Sequence, residues 1–355
     1  MYEPNIKTTE KLINSLNEIE DIREILGTIP VLPIIEEPIQ RRTLVETVYY
    51  TAKIEGNPLD IRAAEKLREY QNAKPKVDSE QELVNLYKVM DFIHDIAGKR
   101  DVPIDEKVIK QIHAFVVRDI ASQGSPGMYK LEQNEIINNT TGEHIFLPAT
   151  PTDAPRLMGE LSAWLGQRRL AVHPVITAGI AHLELVAIHP FGNGNGRTAR
   201  ALADLILWRY GYTFRRLFSW VRQVGIDIAT YHQKINQTLG LKYRANTDPT
   251  IWLEYFVESI AKSLSELKPT LLKTRSAFIN AYNLGAEAKL SSDQVEALVF
   301  ADINGYVTTA DYIRAKRLSR STVVKRLNEL VKMGYLRVEG KGRGVRYMGL
   351  PKQKQ

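Results

Sequence analysis

Residues 188–200 constrain this chain more than any other segment. They read Ile-His-Pro-Phe-Gly-Asn-Gly-Asn-Gly-Arg-Thr-Ala-Arg and join two apolar stretches with helical periodicity. Glycines let backbone N–H groups approach phosphate oxygens, the first turn of a helix adds unpaired N–H groups, and arginines bind phosphate in a bidentate manner. His189 is close enough in sequence to accept a proton from a group attacking that phosphate. The segment therefore predicts a phosphate site with a proton acceptor beside it.

The segment differs from the common nucleotide-binding loops. It has no Gly-Lys-Ser/Thr sequence, and it does not follow a strand as a dinucleotide fingerprint does. It resembles instead the signature of Fic-domain proteins in seven residues, namely His189, Phe191, Gly194, Asn195, Gly196, Arg197 and Arg200. The resemblance implies transfer of AMP from ATP to a hydroxyl group of a protein.

The resemblance also implies a role for each part of the signature. His189 is the expected general base, because an imidazole accepts protons near neutral pH. The backbone N–H groups of residues 194–196 are expected to bind the α- and β-phosphates, Arg197 the outer phosphates and Arg200 the γ-phosphate. Phe191 is expected to pack in the core. Tyr231 corresponds loosely to a family tyrosine near the adenine.

Asn193 departs from the family pattern. Transferases with this signature usually have a carboxylate there, which binds Mg²⁺ on the nucleotide phosphates. An amide oxygen can bind Mg²⁺ but carries no negative charge, and Mg²⁺ prefers carboxylate and phosphate oxygens. Asn193 is thus the candidate metal ligand, and its effect on metal use and nucleotide choice stays open.

A second segment, residues 51–57, reads Thr-Ala-Lys-Ile-Glu-Gly-Asn. It resembles the family's inhibitory motif, Ser/Thr-x-x-x-Glu-Gly/Asn, which lies at the end of an N-terminal helix, here predicted over residues 41–56. The resemblance implies that Glu55 pairs with Arg200 and keeps the γ-phosphate from its productive position. The alternative is a helix end capped by Gly56.

The chain is expected to be mainly α, with a Fic-type helical core and a short β-hairpin. Helical periodicity predicts an N-terminal region over residues 1–110 and a core over residues 111–284. Two β-rich runs around Asn138-Asn139-Thr140-Thr141-Gly142 predict the hairpin at about residues 134–147. The resemblance implies that this hairpin is a flap that pairs with an extended segment of the target.

Residues 291–350 predict three helices and a hairpin, an order that resembles a winged helix-turn-helix domain. From residue 291 onwards the chain has 13 lysines and arginines against 6 acidic residues, so this end carries the whole net charge of +7. A basic surface of this kind favours nucleic acid, while a protein-docking or dimerisation role is the alternative. The predicted DNA contacts are Arg320, Lys325, Arg326 and Arg343.

The composition of the chain excludes several classes of protein. The chain has no cysteine, which excludes disulfides and thiolate chemistry, and no apolar run approaches the roughly 20 residues of a membrane helix. We therefore expect a cytoplasmic protein with no membrane partner.

The leading hypothesis is an autoinhibited transferase that uses ATP and Mg²⁺ and modifies Tyr, Thr or Ser of a protein. Self-modification, a homodimer, another nucleotide, AMP removal and a DNA-binding regulator that senses nucleotide stay open.

Overall fold

The structure is a computed structural model that describes residues 4–30, 32–69, 75–137, 144–167, 172–316 and 318–349. The prediction of a mainly α fold is confirmed, since helices dominate these ranges and the strands are short. The helices are α1 Glu10–Gly27, α2 Pro33–Ile54, α3 Ile61–Glu69, α4 Asp78–Gly98, α5 Glu106–Val116, α6 Ala154–Gln167, α7 Pro174–Ile188, α8 Asn195–Arg209, α9 Trp220–Ile226, α10 Ile228–Leu239, α11 Thr250–Ala288, α12 Ser292–Asn304, α13 Thr309–Lys316 and α14 Arg320–Lys332. The strands are β1 Ile136–Ile137, β2 His144–Phe146, β3 Tyr306–Val307, β4 Leu336–Glu339 and β5 Arg346–Gly349.

Helices α7 and α8 form the centre of the site-bearing unit. Helix α7 starts with Pro174 in its first turn, where a missing N–H costs nothing, and every residue from Val175 to Ile188 is buried. Gly179 is required in this helix, because a Cβ there would lie 2.8 Å from side-chain atoms of both Leu253 and Phe256. This close packing fixes the point at which the signature loop begins.

Helices α4 and α5 cover the other side of α8. One apolar cluster joins them, with Ile93 of α4, Ile112 of α5 and Leu205 of α8 all fully buried. Asp105 starts α5 by accepting a hydrogen bond from the N–H of Val108 at 3.0 Å. The N-terminal helices therefore pack directly on the helix that follows the signature.

Helix α2 begins earlier than the sequence predicts. The predicted helix begins at residue 41, but α2 starts at Pro33. Proline is well suited to the first position of a helix, and the Glu36 carboxylate accepts a hydrogen bond from the N–H of Leu32 at 3.3 Å. The helix still ends where the motif of residues 51–57 places Glu55.

The predicted hairpin has two antiparallel strands. Ile136 of β1 pairs with Phe146 of β2, and Ile137 pairs with His144. The predicted turn, residues 138–142, lies outside the described residues. Ile137 is exposed, so the strand presents an apolar side chain at the surface.

The C-terminal part contains the predicted three helices and hairpin. Ser291 and Gln294 form a reciprocal cap at the start of α12. The sequence did not predict β3, which pairs Tyr306 with Met348 of β5 and extends the β4–β5 hairpin to a sheet of order β3-β5-β4.

Two compact units can be distinguished. One comprises residues 1–19 and 43–263, and the other residues 20–42 and 264–355. The first contains the signature and the predicted flap, and the predicted boundaries of the three domains stay predictions. Among the described residues, no helix combines the length and apolar character needed to cross a membrane.

Candidate active site

The signature loop begins with His189 in a left-handed conformation. Its φ is +50° and its ψ is 57°, and its backbone N–H donates to the carbonyl of Leu185 to end α7. This conformation is uncommon for a residue other than glycine, and it turns the chain sharply at the end of a helix. Gly194, with φ +72°, then starts α8. The two left-handed positions turn the chain between two buried helices, and only Gly192 and Asn193 of the loop are exposed.

The imidazole of His189 is set up to accept a proton. Its Nδ1 lies 3.2 Å from the carbonyl oxygen of Val186, a partner that requires Nδ1 to carry the hydrogen and leaves Nε2 as the acceptor. The pKa of His189 is lowered to about 4, mainly by burial and in addition by the positive charge of Lys130, while the Val186 hydrogen bond and the Glu55 carboxylate act against this. The ring is therefore neutral at physiological pH, as a general base must be.

The side chain of Asn195 closes the loop. Its Oδ1 accepts from the backbone N–H of Phe191 at 2.9 Å, and its Nδ2 donates to the carbonyl of the same residue at 2.8 Å. The signature predicts only a backbone N–H contact for Asn195, so this side-chain role was not predicted. The available signal was an amide four residues after the apolar Phe191. Phe191 is fully buried and stacks on His113 at 3.8 Å, so its predicted place in the core agrees with the structure.

Asn193 does not offer a free oxygen to a metal ion. Its Oδ1 already accepts from the N–H of Gly194 at 2.8 Å and from Nη2 of Arg197 at 3.3 Å. A guanidinium at that oxygen opposes a second cation, and the described part of the chain holds no cluster of three or more His, Cys, Asp or Glu side chains for a metal. Asn193 in this arrangement does not fit a Mg²⁺ ion held by the protein.

Arg200 and Glu55 form the ion pair that the resemblance implies. Nη2 of Arg200 lies 2.6 Å from Oε1 of Glu55 and 3.0 Å from the carbonyl oxygen of Thr51. Burial opposes the ionisation of Glu55, but the charges of Arg200 and Arg197 and the Arg200 hydrogen bond lower its pKa below the ordinary value. Glu55 is therefore a carboxylate in this structure.

Glu55 also lies against the first turn of α8. A Cβ added at Gly196 would come within 2.5 Å of Oε1 of Glu55, so glycine is needed for this close approach. Unpaired N–H groups and the positive end of the helix dipole favour an anion at this position. Glu55 thus lies at a helix N-terminus, beside an arginine, where the signature predicts phosphate.

Tyr231 contacts Arg200 rather than open solvent. Its hydroxyl lies 3.4 Å from Nη1 of Arg200 and 3.0 Å from Nε2 of the fully buried His182. The tyrosine itself is 2% exposed, so in this structure it offers almost no surface to an adenine ring. Its place near a nucleotide stays a prediction, and its observed contact is with the second arginine of the signature.

Arg197 has a carboxylate partner that the sequence analysis missed. Its Nη1 lies 2.6 Å from Oε1 of Glu82 on α4, and the side chains are only 2% and 10% exposed. Glu82 is one of several acids in an amphipathic helix, so nothing in the local sequence distinguishes it from a solvent-facing residue. The role of Arg197 in phosphate binding stays a prediction.

The predicted DNA contacts differ in their surroundings. Arg320 and Lys325 are exposed on α14. The prediction that Arg326 is exposed on α14 is wrong. Its side chain is half-buried and forms an ion pair with Asp293 of α12. The side chain of Arg343 lies outside what the structure describes.

The buried histidines predict a loss of stability in mild acid. His113 accepts from the N–H of Gly127 at 3.0 Å, its other nitrogen bonds the carbonyl of Asn193, and burial lowers its pKa to about 4. Since the pKa of His189 is also lowered, the unfolded chain binds protons first as pH falls below its ordinary histidine value of 6.5. The buried Asp204 carboxyl opposes this trend, because burial raises its pKa to about 7. Two histidines outweigh this one carboxyl, so we expect the thermal unfolding midpoint to fall between pH 7 and pH 5. An equal midpoint at both pH values would contradict this prediction.

Comparisons with known proteins agree with the site. The model of the Fic/DOC family matches residues 103–207. The "Protein adenylyltransferase Fic" of Aedes aegypti is 26% identical over 216 residues, which cover 59% of this chain and 42% of that protein. The relative of the same name in Drosophila melanogaster is 30% identical over 179 residues, covering 49% and 34%. The chain thus matches less than half the length of these curated relatives.

Solved structures show the same fold. A Fic family protein from Desulfovibrio desulfuricans superposes with a TM-score of 0.64 at 20% identity, covering 100% of both chains. A Fic domain containing signaling protein from Bacteroides thetaiotaomicron gives a TM-score of 0.61 at 21% identity, covering 75% of this chain and 97% of that one. The family match falls on helices α5 to α8 and the signature loop between them, so this part of the chain is similar to the Fic/DOC family.

Proposed function

We propose that this chain is a protein adenylyltransferase that transfers AMP from ATP to a Tyr, Thr or Ser hydroxyl of a protein. The observation that carries the proposal is a neutral histidine with a free Nε2 in a loop that leads into an anion site. That anion site consists of the first turn of α8 and Arg200, and Glu55 occupies it in the resting protein. The names of the curated relatives support the same activity.

The residues divide the chemistry between them. The acceptor hydroxyl attacks the α-phosphorus, an O–P bond forms, and the bond to the β-phosphate oxygen breaks to release pyrophosphate. Nε2 of His189 takes the hydroxyl proton, so no free hydroxide is needed. The turn at residues 194–196 supplies N–H groups to phosphate oxygens, and Arg200 neutralises the outer phosphates once Glu55 has moved. Asn195 and Phe191 keep the loop in shape.

We propose further that Glu55 inhibits the enzyme by competition for one guanidinium. A carboxylate and a phosphate both favour bidentate contact with arginine, and they repel each other at close range. The paired state therefore excludes the γ-phosphate from Arg200. The predicted flap, β1 and β2, would hold the target by strand pairing, with apolar Ile137 toward the partner.

Labelling of the pure chain tests the function. The protein is incubated separately with each isotopically labelled nucleoside triphosphate, and covalent addition is read by intact mass. Addition of one AMP from ATP supports adenylyl transfer to itself, and addition from another triphosphate would change the nucleotide assignment. With a pre-labelled target, loss of AMP would favour the removal reaction. Nucleotide binding without any covalent addition, in the presence of lysate proteins, would contradict the transferase and favour a nucleotide sensor.

A second function, DNA binding, concerns the C-terminal part, which we propose to be a winged helix-turn-helix. The exposed cations of α14 support it, because cations on a recognition helix contact phosphates. We expect duplex DNA binding in low salt that Arg320→Glu with Lys325→Glu reduces at least tenfold, by the loss of phosphate contacts. The matched control is Lys88→Glu, an exposed lysine of α4. Fluorescence anisotropy at several salt concentrations measures this, and equal effects in the control would contradict it.

Self-modification and dimer formation are also open to direct measurement. Self-modification appears in the intact mass, and the predicted homodimer is measured by light scattering of the full chain. The cytoplasmic location stays a prediction from composition.

A further inference from the structure

Glu82 contacts two parts of the site at once. Its Oε1 pairs with Arg197 of the signature helix at 2.6 Å, and its Oε2 accepts from Nδ2 of Asn57 at 2.6 Å. Asn57 is the last residue of the segment 51–57 and lies two positions after Glu55. One carboxylate on α4 therefore connects the inhibitory segment to the helix that it inhibits.

Asn57 is held at every polar atom of its side chain. Nδ2 also donates to the carbonyl of Ser79 at 3.0 Å, and Oδ1 accepts from the N–H of Leu59 at 3.0 Å. Its backbone N–H donates to the carbonyl of Ala52 at 3.1 Å, back into the last turn of α2. Hydrogen bonds of Asn57 therefore connect the turn after α2 both to the last turn of α2 and to the start of α4.

The turn between the two residues is short and well defined. Gly56, the only residue between Glu55 and Asn57, has φ +87°, a conformation that favours glycine. Any displacement of Asn57 is therefore transmitted to Glu55 through two peptide units. Glu55, for its part, is less buried than its partner, with 28% of its side chain exposed against 1% for Arg200. Of the two, the glutamate is the one with room to move.

We propose that the Asn57–Glu82 hydrogen bond is a tether that keeps Glu55 on Arg200, with Glu82 anchored in turn by Arg197. Glu82 and Asn57 are positioning residues, since they act through Glu55. The proposal rests on the proposed function, because it concerns how the inhibited state is maintained. It differs from a simple Asx turn, which needs only the hydrogen bond that Oδ1 of Asn57 accepts from the N–H of Leu59 and no partner on α4.

Asn57→Ser separates the tether from the Asx turn. Serine keeps an oxygen that can accept from the N–H of Leu59, but it has no amide group to reach Glu82, and the change adds no charge. A hydrogen bond to a charged group favours the bonded state by roughly tenfold or more, so we expect self-labelling with ATP to rise by about tenfold. The matched control, Asn17→Ser, changes an exposed asparagine of α1 and is expected to label like the wild type.

A double variant shows whether the tether acts through Glu55. In Glu55→Gly the inhibitory carboxylate is absent, so adding Asn57→Ser is expected to raise labelling by less than about twofold, because coupled residues give non-additive effects. Hydrogen exchange provides a readout that needs no transfer. Amides of residues 51–57 are expected to exchange faster in Asn57→Ser than in the wild type or in Asn17→Ser.

The outcomes distinguish the tether from the function on which it rests. Labelling in Glu55→Gly, with neither faster labelling nor faster exchange in Asn57→Ser, overturns the tether and leaves the transferase intact. A full tenfold gain from Asn57→Ser in the Glu55→Gly background also overturns it, because the effect would then bypass Glu55. Absence of labelling of both the chain and added lysate proteins in every variant contradicts the transferase, while the exchange of residues 51–57 still decides whether Asn57 restrains the turn.

Discussion

His189→Ala is expected to lower AMP transfer by about 10²- to 10⁴-fold, the range for loss of a general base. ATP binding is expected to persist, because the groups predicted to bind phosphate are the turn at residues 194–196 and the arginines. Transfer is measured by intact mass and ATP binding by calorimetry on the same protein. Loss of AMP transfer with unchanged ATP binding would identify His189 as a residue of the chemical step rather than of nucleotide binding.

A matched histidine variant controls for nonspecific effects. His94 is exposed on α4, and His94→Ala is expected to leave transfer unchanged. Equal labelling by the wild type and His189→Ala would contradict the assignment of the base. Loss of ATP binding together with transfer in His189→Ala would instead mean that the residue only shapes the loop, since its left-handed backbone also ends α7.

Glu55→Gly is expected to increase self-labelling by an order of magnitude or more. Removing the carboxylate frees Arg200 for the γ-phosphate, and correct alignment of a reacting phosphate alone can change rates by about 10²-fold. The change also leaves the N-terminus of α8 open to an anion. Initial rates of AMP addition over a range of ATP concentrations measure the effect.

Two further variants test the cause of this increase. Arg200→Ala combined with Glu55→Gly is expected to lose much of the gain, because the released partner is missing. Glu65→Gly makes the same substitution at an exposed glutamate of α3 and is expected to behave like the wild type. If labelling does not rise in a folded Glu55→Gly protein that still binds ATP, Glu55 only forms part of a helix end.

Local sequence patterns predicted the parts of the site that depend on neighbouring residues. The string at residues 188–200 identified a loop between two helices, and the loop is present with glycine at a left-handed position and His189 at its start. The strands of the hairpin and the three C-terminal helices were also predicted, because their periodicity and capping residues are contained in short windows. A resemblance to a signature added the Glu55–Arg200 pair, which no local pattern contains.

Sequence patterns did not predict features that depend on tertiary contacts or that share a pattern with another structure. Prolines at helix starts and in extended segments look alike in sequence, and the start of α2 was therefore placed several residues late. Strand β3 has only two residues, Tyr306 and Val307, and it exists through its pairing with β5. Arg326 has the spacing of an exposed residue, yet Asp293 lies opposite it once α12 and α14 pack together.

The sequence by itself determined which groups the candidate site contains: a histidine, a glycine-rich turn and two arginines within thirteen residues, which fold locally into a loop at a helix N-terminus. The tertiary structure alone decided that Glu82 is the carboxylate facing Arg197. Glu82 and Arg197 are 115 positions apart in the chain, and no period or cap relates residues at that distance. Such pairs form because the packing of α4 on α8 removes both side chains from water, and a buried charge needs an opposite charge beside it.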